Sequence, residues 1–366
     1  MVATLALAMG AVPLKSSASP ADPAAAGSSA PAATSADLPV MVVDLHVDVP
    51  WQVHFKERDP ALTEGHATVR SLQAGAYGGM VFPIYLPDYL HEKKGPLVSD
   101  AEEVLATIQK IIAVSGAFVP PGQSAVPGKI TSFVSIEGAG AFAEDITKID
   151  SFIDRGVRLI GPVHQKNNRL ASSATGDPVE TGFTEIGRQF CERVYSRGAV
   201  IDVSHLSDRA FDDLVPIAKK YGAPIVATHS NARAVADVPR NLTDAELRII
   251  GETGGVAGLN FHGAFVAKGK KKPTIDDLIK QLEHMIRVAG IDHVAIGSDF
   301  DGGIHPPTGL EDASMMPALA DRLKKKGMSH GDVLKIFSLN ALRVLGYRSP
   351  AQIQAQIDAA RAKDQP

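Results

Sequence analysis

His46 and Asp48 stand two residues apart in the run VVDLHVDVP, a spacing that puts both side chains on one side of an extended strand. An imidazole and a carboxylate so placed can reach one divalent cation such as zinc. Glu137, in SIEGAG, closes an apolar run, where a carboxylate is costly to bury without a cation, and its two oxygens could each take one ion of a pair. His205 in IDVSHLS and His229 in VATHSNARAV would complete a second site. Two such ions share a water, lower its pKa towards neutrality and polarise the carbonyl it attacks. Singly, none of these signals is specific, since a lone histidine at a strand end is more often a hydrogen-bonded structural residue. The joint pattern carries the argument.

Two further residues could act on a substrate. Asp299, in HVAIGSDFDGG, could take a proton from the attacking water and pass it to a leaving amine. A turn-forming aspartate is the alternative, because Gly302 and Gly303 follow, and that alternative suits Asp301 better than Asp299. Arg240, in VPRN, offers a planar bidentate fork for a carboxylate, and on the residues alone a surface arginine is an equal reading.

Stepping from these residues to what must hold them, short apolar runs rich in Val and Ile recur between longer amphipathic stretches, as in parallel βα units. Eight are expected as strands, at residues 40–45, 79–85, 131–136, 157–163, 199–204, 224–228, 255–261 and 293–298. Between them lie helix signals: Ser99 ahead of AEEVLATIQKIIAV, Thr243 with Glu246 as a capping box, and Thr274 opening IDDLIKQLEHMIRVAG. Gly198, Gly222, Gly254 and Gly290 fall where left-handed helix caps belong. Eight such units predict a (β/α)8 barrel over residues 38–350, with additional C-terminal helices over 319–345, one of them capped by Ser329. His46 and Asp48 follow the first strand, Glu137 the third, His164 the fourth, His205 the fifth, His229 the sixth and Asp299 the eighth. In a barrel those ends converge on one face. His54, His66, His91, His284, His305 and His330 fall in predicted loops or helices and read as exposed or locally bonded, and His293 starts a strand at the opposite face.

Composition narrows the class. With 366 residues, 45% hydrophobic and 21% charged, the chain is an ordinary globular one, and its net charge of −4 gives no general pull towards nucleic acid or anionic membrane. The basic run of Lys268, Lys270, Lys271 and Lys272 reads as a solvated loop. The one cysteine, Cys191, rules out an intrachain disulfide or thiolate metal cluster and reads as a buried, inert thiol in a helix. Residues 1–37 combine an apolar stretch with an Ala/Pro/Ser-rich tract, which suggests export to the periplasm or medium. No Lys or Arg precedes the apolar stretch, so a cytoplasmic location is the alternative. The polar end, 351–366, offers no membrane span or lipid-anchor signal.

Taken in order, DLHVDVPW, SIEGAG, IDVSHLS, VATHSNARAV, DVPRNLTD, HVAIGSDFDG and IFSLNALRVLG resemble the membrane (renal-type) dipeptidases, peptidase family M19. The resemblance implies a binuclear zinc site: His46 and Asp48 match the ligands of the first metal, Glu137 the bridging carboxylate, and His205 and His229 the ligands of the second. His164, in GPVHQKNN, matches a histidine that stabilises the tetrahedral oxyanion. Arg240 matches the arginine for the substrate's terminal carboxylate, and Asp299 the acid/base. The chain departs from the family at Leu45 and Val47, where Gly and Asn are common, and at His262, which stands where animal members carry a tyrosine near the substrate. The resemblance thus implies a zinc-dependent dipeptidase working through a metal-bridging hydroxide, and a homodimer. Two-metal barrels also hydrolyse other amides, lactones and β-lactams, which is the rival substrate reading, with a non-catalytic metal- or peptide-binding barrel as the third.

Overall fold

A computed structural model of the chain describes residues 40–91, 94–269 and 272–346. The leader (1–37), the polar tail (351–366), and Lys270 and Lys271 of the basic run lie outside the described residues. The strands are β1 (Val42–Asp44), β2 (Tyr77–Tyr85), β3 (Phe118–Val119), β4 (Ile130–Glu137), β5 (Val157–Gly161), β6 (Val200–Ile201), β7 (Val226–Ala227), β8 (Val256–Leu259) and β9 (Val294–Ile296). They are ordered β6-β5-β4-β2-β1-β9-β8-β7, and the ladders between them are parallel. A parallel bridge between Asp202 and Val226, with the Val203 N–H donating to the Val226 carbonyl at 2.8 Å, joins β6 to β7 and closes the ring.

Each of the eight expected strands is present, and with its helices the ring is a (β/α)8 barrel. β3 is additional. It pairs Phe118 with Ile130 and Val119 with Thr131 at the start of β4, before β5 joins that strand at Val134. Two residues are too few to show a period in the sequence.

Period-two alternation sorts the strand side chains into two layers. Val43, Val81, Phe133, Leu159, Val200, Val226, Val256 and Ala295 fill the barrel interior. Their neighbours Val42, Met80, Phe82, Val134, Ile136, Ile160 and Ile296 face outward into the core shared with the helices. Glu137 has the parity of Phe133, so the alternation that buries Phe133 also turns Glu137 inward at the upper end of β4.

Helix Asp244–Glu252 has the expected capping box: the Glu246 N–H donates to Thr243 Oγ1 at 3.2 Å and the Thr243 N–H to the Glu246 carboxylate at 2.7 Å. At the other two caps, the Thr274 N–H donates to the Asp277 carboxylate at 2.9 Å and Ser329 Oγ accepts the Asp332 N–H at 3.1 Å. The helix expected after Ser99 instead spans Val98–Ser115, because the Asp100 carboxylate accepts the Leu97 N–H at 2.7 Å and moves the start back. Gly222 is left-handed (φ 57°, ψ 30°), whereas Gly290, at φ 95° and ψ 154°, lies outside that region.

The C-terminal helices close the lower end of the barrel. Ala341, Leu342, Val344 and Leu345 pack into the same cluster as the interior strand residues. Asn340 Nδ2 donates to the carbonyls of Ile291 and Val294 at 2.8 Å each, and Arg343 donates to those of Gly254, Gly255 and Asp292. These helices thereby satisfy backbone groups that the strand starts leave open.

Candidate metal centre

The upper ends of the strands bring the sequence candidates together. His46 Nε2 lies 3.2 Å from Asp48 Oδ2 and 3.7 Å from Glu137 Oε2. On the other oxygen, Glu137 Oε1 lies 3.0 Å from His205 Nε2 and 3.6 Å from His229 Nε2, and the two imidazole nitrogens are 3.1 Å apart. Glu137 therefore stands between two groups, presenting one oxygen to each. Potential ligand atoms fall within 4.8 Å of one another in three sets: His46, Glu137 and His229; Glu137, His164 and His205; and His46, Asp48 and Asp299. His164 and Asp299 are thus within reach of the same cluster as the five candidate ligands.

Asp299 adopts φ 64°, a left-handed conformation that aspartate tolerates better than bulkier residues. Its N–H donates to the His46 carbonyl at 3.0 Å, which ties β9 to β1 at the mouth. Gly302 has no room for a side chain: a Cβ there would collide with the carboxylates of Asp299 and Asp48.

Burial and mutual charge shift the titration of His46, Glu137, His205, His229 and Asp299. Desolvation works against charge on His46, but the carboxylates of Asp48 and Glu137 override it and push the imidazole up to about 10. Burial raises Glu137 against the opposing pull of His46 and His164. It lifts Asp299 well above the usual carboxylate range, helped by the charge of Asp48. His205 and His229 are driven far below the usual imidazole range, by burial first and then by cations that include Arg240. Buried imidazole nitrogens also have no hydrogen-bond partner among the described residues, namely Nδ1 of His46, His164 and His205, the His164 nitrogen lying 3.8 Å from Asp88 Oδ2. Imidazoles and clustered carboxylates at 1–8% exposure are the donor set a divalent metal requires, so these residues fit one.

The sequence reading missed the residues behind this layer. Asp202 is 4% exposed and accepts from Thr228 Oγ1 and Ser204 Oγ at 2.6 Å each. Asn260 Nδ2 donates to Asp299 Oδ2 at 3.0 Å. Asp44, wholly buried, accepts the N–H of His46 at 3.2 Å and of Ser298 at 2.9 Å. Asp44 and Asp202 were visible in DLHVD and IDVSH as carboxylates inside apolar strands, the same signal that singled out Glu137. Asp301 serves structure, as its turn position suggested: it accepts from Arg58 Nη2 and the His66 N–H at 2.9 Å and from the Ala67 N–H at 3.1 Å.

Arg240 proves to be internal. It is 6% exposed, and its Nη2 lies 3.2 Å from His205 Nε2 and 3.4 Å from the His229 carbonyl, with Ser230 Oγ at 3.3 Å from Nη1. Among the described residues no carboxylate pairs with it. Arg240, His164, Asp299 and His262 line one cavity of about 640 Å³ with Trp51, Tyr85, Lys166, Phe265 and Ile304. The histidines read as exposed or locally bonded, and His293, do not line this cavity. His293 Nδ1 meets the Gly255 carbonyl at 2.9 Å at the opposite end, His54 bonds Thr107, and His284 pairs with Asp244.

The chain is similar in sequence and fold to known proteins. The sequence matches the membrane dipeptidase family over residues 36–357. It is 28% identical over 332 residues to an uncharacterised dipeptidase of Schizosaccharomyces pombe, covering 83% of this chain and 79% of that one. It is 38% identical over 226 residues to an uncharacterised protein of Klebsiella pneumoniae encoded in the pqqA 5' region, covering 59% and 82%. Among solved structures it resembles a metallopeptidase from Rhodobacter sphaeroides bound to a phosphinate mimic of the dipeptide L-Ala-D-Ala, with a TM-score of 0.74, 26% identity and coverage of 84% and 99%. With the family match spanning residues 36–357 and the fold shared with metallopeptidases of that family, the chain belongs to the membrane dipeptidase family, peptidase family M19, and is a metallopeptidase-type hydrolase.

Proposed function

We propose that the protein is a zinc-dependent dipeptidase that holds two zinc ions per chain, with His46 and Asp48 on the first, His205 and His229 on the second, and Glu137 between them. The observation that carries the substrate assignment is Arg240, a guanidinium buried against the metal cluster without a carboxylate partner among the described residues. Burying an unpaired cation is costly, and a substrate's terminal carboxylate would relieve that cost through a charge-assisted, bidentate bond. Because Arg240 touches His205 directly, little chain fits between the bound carboxylate and the scissile bond, which favours dipeptides over longer peptides.

Bound divalent ions would supply Lewis-acid polarisation of the scissile carbonyl and a water acidic enough to attack it near neutral pH. Arg240 fixes the free carboxylate. His164, packed against the His205 ring with centroids 4.4 Å apart, donates a hydrogen bond to the oxyanion. Asp299, oriented by Asn260, accepts the proton of the attacking water and delivers it to the leaving amine. His262 borders the side-chain end of the cavity beside Phe265, with ring centroids 4.5 Å apart.

The experiment is a panel of dipeptides, their C-terminal amides and tripeptides, each assayed before and after removal of metal by a chelator. Hydrolysis of free dipeptides alone, lost on chelation and restored by zinc, is the expected result. Activity that survives complete metal removal would sink the metal reading, and equal turnover of the amides would sink the carboxylate reading. Export and a homodimeric state belong to the same proposal, and are checked by cell fractionation and light scattering. Among the described residues no helix is long and apolar enough to cross a membrane.

A further inference from the structure

We infer that Asp202 is a positioning residue for the second metal site, acting through the Thr228 hydroxyl to hold His229 in the tautomer that leaves Nε2 free to bind. The inference rests on the metal reading above.

At the seam of the barrel, β6 and β7 are joined by the one bridge between Asp202 and Val226, so the backbone ladder stops just below the mouth. His205 and His229 stand above that point, one on each side of the seam. Above the bridge, side chains replace the ladder. Asp202 Oδ1 accepts the Ser204 hydroxyl at 2.6 Å, the Ser204 N–H at 3.0 Å and, from across the seam, the Thr228 N–H at 3.0 Å. Asp202 Oδ2 accepts the Thr228 hydroxyl at 2.6 Å. Every partner of this carboxylate is a donor.

That inventory decides the tautomer. The Ser204 and Thr228 hydroxyls lie 3.1 Å apart, but each is closer, at 2.6 Å, to the Asp202 carboxylate, the stronger acceptor, so Thr228 Oγ1, 2.7 Å from His229 Nδ1, accepts from that nitrogen. The Ser204 hydroxyl proton is likewise directed to Asp202, and Ser204 Oγ accepts the His229 N–H at 3.1 Å. His229 is therefore protonated on Nδ1 and presents the lone pair of Nε2 towards Glu137 Oε1 and His205 Nε2. His46 and His205 have no such partner at Nδ1. One carboxylate thus sets both the distance across the seam and the proton on one ligand, a task usually performed by a carboxylate or carbonyl bonded to the imidazole itself.

The test compares Thr228→Val, which keeps the shape and loses the hydroxyl, with Thr228→Ser, which restores it. The zinc-free full-length proteins are titrated with zinc against a chromophoric chelator, and bound metal is counted by elemental analysis. Thr228→Val should weaken one of two zinc ions by about 10- to 100-fold, and Thr228→Ser should recover it. Two ions bound by Thr228→Val with unchanged affinity would overturn the inference. Wild-type protein that binds no zinc would instead overturn the metal reading beneath it. Should Thr228→Val fail to fold, nitrogen-15 NMR of the wild-type histidines decides the matter: a hydrogen-bonded proton on His229 Nδ1 is expected, and one on Nε2 refutes it.

Discussion

The two ends of the barrel solve opposite problems with the same eight strands. At the lower end, side chains of the last helices meet backbone groups at the strand starts: Asn340 and Arg343 donate to five backbone carbonyls, and the buried Lys335 forms an ion pair with Asp292. Between these contacts, Leu342 and its neighbours seal the interior. At the upper end, Glu137, Asp48, Asp299 and four imidazoles crowd together with mismatched charges, unpaired imidazole nitrogens and the unanswered guanidinium of Arg240. Buried polar groups left unsatisfied cost stability, and they persist where a ligand is to satisfy them. The contrast teaches that in this molecule stability is concentrated at the strand starts and chemistry at the strand ends.

That division can be broken most visibly at Asp299. Asp299→Asn should lower kcat by about 10²- to 10⁴-fold, the range of a lost acid/base group. The melting temperature of the zinc-free protein should hold or rise, because a buried carboxylate beside Asp48 is removed. Steady-state kinetics and calorimetry on one preparation measure both, and a fall in stability equal to that of a core mutant would contradict the division. Arg240→Ala should reduce kcat/KM for free dipeptides by about 30- to 1000-fold, corresponding to about 2–4 kcal/mol for a truncated buried charge contact. The loss should be far smaller for C-terminal amides.

The lower end should respond in the opposite sense. Leu342→Ala opens a cavity in the plug and should destabilise the fold by about 2–5 kcal/mol in denaturant titrations. Its kcat/KM at a temperature where it stays folded should match wild type, and a large catalytic loss there would mean that the two ends are coupled. The smallest effect is expected at His262. His262→Phe keeps a ring against Phe265 and should redistribute preference among dipeptide side chains by about tenfold or less, the scale of a modest pocket change, without altering metal content.

How much of this could be read from the sequence follows from the range of the interactions involved. Strand positions, helix caps at Thr243 and Ser329, and the inward parity of Glu137 arise from local rules of period and hydrogen bonding, so the linear order of residues determined them. So did the convergence of His46, Asp48, Glu137, His205, His229 and Asp299, because strand ends of a closed parallel barrel must share a face. The start of helix Val98–Ser115 was misplaced by one side chain, since Asp100 competes with Ser99 for the cap. What only the tertiary structure decided depends on contacts between distant strands. Arg240 could have been a surface residue until the loop after β7 folded it onto His205, 35 positions earlier in the chain. Asp202 and Thr228, 26 positions apart, became partners only when β6 met β7 at the seam. The sequence alone determined which residues reach the mouth, because that is a matter of alternation. The fold decided which of them touch, because that depends on distances set by strands that are not neighbours in sequence.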